Sequence, residues 1–186
     1  VLPTGHADLL QALAAGAAIA PVRDAAPVTE YRLHAPLRPG KILCAGVNYA
    51  SHADENPDAV SPTEPFLFSK LPTAVVGPDE PVRIPAPDTL VDYEVEFAVV
   101  IGTRARRLAR DSALDAVFGY TLCNDVSARN IQFKDNQITM GKGCDTFAPL
   151  GPCVVTPDEF GDPQAVHLWC RVNGELRQDA STADML

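Results

Sequence analysis

The sequence predicts a β-rich α+β domain. Seventeen prolines occur in 186 residues, and short apolar runs are separated by turn residues, which is typical of many short strands. The segment VHLWCRVNGELR (166–177) alternates around Asn173-Gly174, a pair that favours a tight hairpin turn. Helices that alternate regularly with strands, as in a doubly wound sheet, are not indicated.

The individual elements follow from local pattern. An Ala- and Leu-rich stretch predicts a helix over 6–18, and we interpret residues 1–37 as an N-terminal appendage and linker that precedes a domain at 38–186. Ser181 or Thr182 is expected to cap a helix with Asp184 in its first turn, yet the sequence stops at Leu186, so we expect the domain to be incomplete at its C-terminus. The remaining predicted elements are a buried strand at 41–47, strands at 66–70, 91–102 and 118–123, an extended Pro-bounded segment at 81–87 and a helix at 112–117.

Charge and composition exclude several classes of protein. A formal net charge of -9 and a pI of about 4.8 argue against nucleic acid as a partner. No apolar run approaches the length of a membrane span, and no signal peptide is recognisable, so we expect no membrane partner and a cytoplasmic protein. The five cysteines contain no CxxC pair, and they favour neither a disulfide framework nor a zinc site.

The strand predicted at 91–102 carries an unusual row of acids. Asp92, Glu94 and Glu96 alternate with apolar residues, and alternate side chains of a strand point to the same face. A solvated face of an antiparallel strand would explain this pattern. However, the same face continues into alanine and valine, and desolvating neighbouring carboxylates costs several kcal/mol per ion unless a cation compensates.

A third carboxylate follows the next strand. Asp125 comes directly after the strand at 118–123, so Glu94, Glu96 and Asp125 can form a three-carboxylate site for Mg²⁺ or Mn²⁺, with Ca²⁺ also possible. Asp92 is a weaker ligand candidate because it borders the preceding loop. Taken alone, Asp125 is equally typical of an Asx turn.

Two further pairs are candidates for catalysis. His52 and Glu55 are three residues apart, which would let the carboxylate orient the imidazole as a general base; a surface helical turn has the same pattern. Lys142 lies between two glycines and could direct a positive charge at an oxyanion, and Gln132 is a neutral donor for the same task. Both are also compatible with ordinary surface positions.

Several segments, in order, resemble the fumarylacetoacetate hydrolase family. They are GVNYASHADE, PFLFSKLPTAVVG, DYEVEFAVVIG, GYTLCNDVSARNIQ, GKGCDTFAPLGPCVV and VNGELRQDASTADM, and together they span about 41–186. The chain looks most similar to the bacterial acylpyruvase and 2-hydroxyhepta-2,4-diene-1,7-dioate isomerase branch. The resemblance implies the mixed β-sheet roll of the family's C-terminal domain.

The resemblance also implies roles for particular residues. It assigns Glu94, Glu96 and Asp125 to the metal, His52 and Glu55 to water activation, Lys142 and Gln132 to the oxyanion, and Tyr49, Lys70 and Arg129 to the substrate.

The implied function is hydrolysis of a carbon-carbon bond in a 2-oxo or β-diketo acid of the acylpyruvate or fumarylacetoacetate type, through a metal-bound enolate. Isomerisation of a 2-hydroxyhepta-2,4-diene-1,7-dioate, or decarboxylation of a 2-oxo acid in aromatic compound catabolism, would use the same enolate. A non-catalytic metal-binding scaffold is a third alternative. A small-molecule substrate and a homodimer are expected on the same basis.

Overall fold

The structure is a computed structural model and describes residues 9–15, 26–27, 29–50, 63–134 and 138–186. Its helices are short, and part of the helix predicted at 6–18 is confirmed by the first of them. The segment predicted as a helix at 112–117 is a 3-10 helix. The α-helices are α1 (Leu9–Ala14), α2 (Arg129–Gln132), α3 (Thr139–Lys142) and α4 (Pro157–Phe160), and 3-10 helices span Pro72–Ala74, Arg110–Ala116 and Thr182–Asp184.

The strands are β1 (Ile42–Gly46), β2 (Phe66–Lys70), β3 (Val75–Val76), β4 (Val91–Asp92), β5 (Val95–Ile101), β6 (Val117–Asn124), β7 (Ser127–Ala128), β8 (Ala148–Val155), β9 (His167–Val172) and β10 (Glu175–Ser181). The largest sheet has the order β3-β8-β6-β5, in which β3 and β8 are parallel and the other neighbours antiparallel. Three antiparallel pairs, β1-β2, β4-β7 and β9-β10, accompany it. The predicted strand-rich α+β fold with a mixed sheet is confirmed.

The predicted hairpin is present. Strands β9 and β10 are joined by Asn173 and Gly174, whose φ angles of 51° and 83° are both in the left-handed region that a type I′ turn requires. The predicted cap at the end of β10 is also present, because the Ala183 N–H donates to the hydroxyl of Ser181. It precedes the 3-10 helix Thr182–Asp184.

Two sequence-based predictions about strands are wrong. Strand β1 was expected to be buried, but Leu43 is 64% exposed. The acidic strand is not continuous, because β4 ends at Asp92 and β5 begins at Val95. Between them the N–H of Glu94 donates to Oδ1 of Asn124 (3.3 Å), and the N–H of Asp125 donates to the carbonyl oxygen of Glu94 (2.8 Å).

Strands β5 and β6 have two distinct faces. The register pairs Glu96 with Cys123 and Phe97 with Leu122, so successive residues point to opposite sides. The acidic face carries Glu96, Ala98, Val100 and Cys123, and the aromatic face carries Phe97, Tyr120 and Leu122.

The core of the acidic face includes residues from outside the sheet. Leu37, Val100 and Leu150 form one buried cluster, so the end of the predicted linker packs onto the sheet. A second cluster brings together β7, the start of β8 and Phe147. All five cysteines are free; Cys153 is exposed and the other four are half-buried. Of these, Cys123 and Cys144 pack against the second cluster. In the part of the chain that the structure describes, no helix is both long and apolar enough to cross a membrane.

Candidate active site

Asp125 lies at the centre of a buried group of charges. It follows the last residue of β6 and is only 2% exposed. Its Oδ1 is 2.5 Å from Nζ of Lys70, at the end of β2, and its Oδ2 is 3.1 Å from Nζ of Lys142, at the end of α3. Two lysines from different elements therefore compensate a single buried carboxylate.

Lys70 is completely enclosed. Its side chain has no exposed surface, and Nζ donates to Oδ1 of Asp125, to the carbonyl oxygen of Val126 (3.0 Å) and to the carbonyl oxygen of Lys142. An ammonium group has three N–H donors, so all of them are used within the protein. This arrangement does not favour the direct substrate contact that the resemblance implies.

Glu94 is held by two cations. Its Oε2 is 2.5 Å from Nζ of Lys142, and its Oε1 is 2.6 Å from a guanidinium nitrogen of Arg129. Arg129 also donates to Oδ2 of Asp92 (2.6 Å) and to Oε1 of Gln132 (3.0 Å). Burial would raise the pKa of Glu94, but the charges and hydrogen bonds of Lys142 and Arg129 outweigh it, and the pKa lies below its ordinary value.

Glu96, unlike Glu94, forms no ion pair with a cation in the described part of the chain. Burial, reinforced by the negative charges of Glu94 and Asp125, raises the pKa of Glu96 from 4.5 to about 7, although Lys142 and Lys70 act in the opposite direction. Within the described residues, no side chain donates a hydrogen bond to its carboxyl group. Three carboxylates thus influence one another, and Glu96 has no direct counter-charge among the residues that the structure describes.

The carboxylates fit a divalent metal in number and chemistry, but not in their present arrangement. Carboxylate oxygens are the ligands that Mg²⁺ and Mn²⁺ prefer. Among the described residues, however, no three His, Cys, Asp or Glu side chains form a group that could hold a metal ion. The ammonium of Lys142 bridges Glu94 and Asp125 instead, so it would have to leave them if these carboxylates were to share a metal.

The approach of α2 to α3 places two predicted oxyanion donors next to each other. A Cβ atom added to Gly141 would lie 2.7 Å from Cα of Gln132, so the short helices approach closely only because residue 141 has no side chain. Lys142 follows Gly141 directly. Its Nζ lies 5.2 Å from the ring centroid of Phe68 on β2, a distance compatible with a cation–π contact.

Of the other predicted site residues, the structure describes Tyr49 but not His52 and Glu55. Tyr49 forms an isolated antiparallel bridge with Met185. Its pKa is raised by burial and then by the charges of Glu96 and Asp184, which brings it into the electrostatic environment of the carboxylates. His52 and Glu55 lie outside the described residues.

Sequence reasoning missed two neighbours of this site and misjudged a third. Cys44 and Phe68 are paired across β1 and β2, and burial followed by the charge of Asp125 raises the pKa of the Cys44 thiol to about 12. Antiparallel pairing of β1 with β2 places Cys44 and Phe68 opposite each other, on the same face of the pair. The sequence alone does not indicate that these two strands are paired. Asp92, considered a weak metal ligand, is instead a partner of Arg129.

Comparison with known proteins identifies the family. A model described as the fumarylacetoacetate hydrolase C-terminal domain matches residues 41–186. The chain belongs to the fumarylacetoacetate hydrolase family. This is an enzyme family whose described relatives include tautomerases, isomerases and hydrolases.

Three relatives of the fumarylacetoacetate hydrolase family illustrate its range. A mitochondrial oxaloacetate tautomerase of Xenopus laevis is 45% identical over 157 residues, which cover 83% of this chain and 49% of the relative. The crystal structure of a 2-hydroxyhepta-2,4-diene-1,7-dioate isomerase from Mycobacterium marinum matches with a TM-score of 0.73 and 42% identity, covering 83% of this chain and 56% of the other. A maleylpyruvate hydrolase from Sphingobium sp. SYK-6, solved with manganese(II) and pyruvate, matches with a TM-score of 0.68 and 33% identity, covering 82% and 52%. The chain spans about half the length of the curated relative.

Proposed function

We propose that this chain is the catalytic part of a divalent-metal-dependent enzyme that interconverts the keto and enol forms of a 2-oxo dicarboxylic acid of the oxaloacetate type. The observation that carries the proposal is the half-buried Glu96, which lies in the field of Glu94 and Asp125 without a direct counter-charge in the described part of the chain. Such a carboxylate is stabilised when a cation binds. The name of the Xenopus relative supports the choice of substrate class.

Glu94, Glu96 and Asp125 would hold the metal, for which Mg²⁺ and Mn²⁺ are the first choices and Ca²⁺ the next. The hydrolase relative solved with manganese and pyruvate supports this choice of cation. When bound, a divalent ion supplies a Lewis acid that polarises the oxygens of a 2-oxo acid.

The chain's own donors have separate tasks. We assign Lys142 the role of donating a hydrogen bond to the substrate oxygen on which negative charge develops, because its buried ammonium lies next to the carboxylates and would be released from them if they held a metal. Arg129 holds Asp92, Glu94 and the amide oxygen of Gln132. This orientation leaves the amide N–H groups of Gln132 as the donors available to a substrate.

Ultraviolet absorbance of enol oxaloacetate provides the test. We expect the full-length protein to accelerate the approach to keto–enol equilibrium with Mg²⁺ or Mn²⁺ and to lose this effect in excess chelator. Lys142→Met should lower kcat/KM by about 100- to 1000-fold, since an oxyanion donor typically contributes that much. Lys41→Met, which removes the same charge from an exposed position, is the matched control. Equal rates with and without chelator would refute the metal-dependent mechanism.

Carbon-carbon bond hydrolysis is the second candidate. It is supported by the spacing of His52 and Glu55 and by the maleylpyruvate hydrolase relative. Acylpyruvate cleavage that is abolished in His52→Ala, while tautomerisation persists, would establish it. Cleavage that survives in His52→Ala would argue against this role for His52.

The two remaining alternatives give different signals in the same assays. If the protein converted only diene-diacids, an isomerase or decarboxylase activity would be favoured. The isomerase relative from Mycobacterium marinum supports this alternative. Mn²⁺ binding without turnover of any of these substrates would favour a metal-binding scaffold.

Three broader expectations stay predictions. They are the division into residues 1–37 and 38–186, the homodimer, and the cytoplasmic location, for which the mitochondrial relative offers no support. Light scattering of the full-length protein would give the oligomeric state directly.

A further inference from the structure

Lys70 connects three separate segments at one point. Its Nζ binds the side chain of Asp125, the carbonyl oxygen of Val126 and the carbonyl oxygen of Lys142, which are 55, 56 and 72 residues away in the chain. The side chain of Lys142 then returns to the other oxygen of Asp125. The two lysines and the aspartate therefore form a closed ring of contacts.

We propose that Lys70 is a positioning residue, which fixes the carboxylate of Asp125 and the backbone at Lys142 relative to each other. The proposal deepens the proposed function, because it rests on Asp125 as a metal ligand and Lys142 as a substrate donor. Lys70 itself contacts no substrate, since its side chain has no exposed surface and its three donors are all used within the protein.

The geometry favours positioning over two other roles. A buried ion pair is weak evidence for stability, because an apolar replacement of similar volume is often neutral or stabilising. A role through charge alone would reduce the affinity for a divalent cation, since Lys70 adds a positive charge next to Asp125. Lys70 instead forms three hydrogen bonds to acceptors in the protein, one of which is the carboxylate of Asp125. Such bonds fix the orientation of a metal ligand.

The effect of replacing Lys70 on the affinity for Mn²⁺ distinguishes these roles. Loss of a positioning residue weakens binding, loss of a nearby positive charge strengthens it, and loss of a purely stabilising residue leaves it unchanged. Electron paramagnetic resonance of free Mn²⁺ would measure binding to the wild type, Lys70→Met and the control Lys41→Met, each corrected for the folded fraction. Positioning predicts that Lys70→Met binds Mn²⁺ about 10- to 100-fold more weakly, as is typical when a residue that orients a metal ligand is lost. Tighter or unchanged binding would overturn the proposal, and so would a lower melting temperature with an unchanged dissociation constant.

Hydrogen exchange of the metal-free protein provides a second, independent readout. Without the bond from Lys70, we expect backbone amides in 139–147 to exchange about three- to tenfold faster, which corresponds to the loss of one hydrogen bond. Lys41→Met should leave them unchanged. If Lys70→Met does not fold, Lys70→Gln retains an uncharged donor and allows the same comparison. If the wild type binds no Mn²⁺, the proposed metal site is refuted, and only the exchange rates test the positioning role of Lys70. Unchanged rates in Lys70→Met would then refute that role.

Discussion

The two faces of the β5-β6 pair are held by different interactions. On the aromatic face, the rings of Phe97, Tyr120 and Phe160 pack with centroids 4.5 to 5.6 Å apart. On the acidic face, Glu96 precedes Phe97 on β5 and is paired with Cys123 on β6, and both lie in the field of buried lysines and of carboxylates. A single pair of strands thus joins a region stabilised by packing to a region dominated by charge.

This difference shows that packing interactions and candidate ligand-binding groups lie on opposite faces of the same two strands. Aromatic packing contributes free energy without needing a ligand. The acidic face keeps a carboxylate that is costly to bury and that a cation would stabilise. Substitutions on the aromatic face should therefore lower stability alone, whereas substitutions on the acidic face should change stability and ligand binding together.

The largest expected effect comes from Asp125→Ala. Removing this carboxylate leaves the enclosed ammonium of Lys70 without its counter-ion, which should cost about 3 to 5 kcal/mol of unfolding free energy. Mn²⁺ binding should be lost as well. Chemical denaturation and Mn²⁺ titration measure the two effects, and Asp111→Ala, at an exposed aspartate, is the control. Retention of both properties would show that the charge network does not organise this face.

Tyr120→Ala tests the aromatic face. Loss of the ring that packs on Phe97 and Phe160 should lower the unfolding free energy by about 3 to 5 kcal/mol, as for other large-to-small changes in a core. Tyr120→Phe retains the ring and should be close to the wild type in chemical denaturation. The folded fraction of Tyr120→Ala should bind Mn²⁺ with unchanged affinity. A weakened affinity would show that the two faces are coupled.

The pH dependence of the metal-free protein reports on Glu96. Its pKa is about 7 in the folded protein and 4.5 ordinarily, so between these values the folded state binds more protons than the unfolded state. Stability must therefore fall as pH rises from about 4.5 to about 7, with a slope of at most about 1.4 kcal/mol per pH unit from this group. Among the described residues, the charges that act on its pKa are those of Glu94, Asp125, Lys142 and Lys70, and the Tyr49, Cys44 and Cys123 side chains lie in its field.

Denaturation curves measured in chelator across this pH range would reveal the effect. Glu96→Gln should flatten the dependence, because the amide does not titrate. A wild-type slope that persists in Glu96→Gln would assign the titration to another group.

The smallest expected effect is that of Arg129→Lys. Lysine keeps the charge but cannot form the fork that binds Asp92 and Glu94 together. Because the side chain of Arg129 is 28% exposed, the loss of unfolding free energy should stay below about 1 kcal/mol. A loss comparable to that of Asp125→Ala would mean that Arg129 belongs to the buried network.

Much of the fold was readable from local pattern. The limits of β2 agree with the prediction, and Asn173-Gly174 determines the hairpin through its left-handed backbone. These features depend on neighbouring residues only. The break between β4 and β5 was not readable, because it depends on Asn124, thirty residues away from the Glu94 amide that it binds.

The candidate site was predictable in its residues more than in its contacts. Glu94, Glu96 and Asp125 were grouped from strand alternation and family resemblance, and the structure brings their charges together. The enclosure of Lys70 was beyond a sequence reading, since all its partners are more than fifty residues away. Long-range hydrogen bonds leave no periodic signal in the sequence.

The close approach of α2 and α3 at Gly141 has a consequence for protein engineering. Residue 141 acts as a spacer that admits only a hydrogen atom between Gln132 and the turn that carries Lys142. Gly141→Ala would insert one methyl group and push the helices apart, so it would widen the gap between an amide and an ammonium without altering either group. A residue without a side chain thus sets the distance between the segments that carry Gln132 and Lys142.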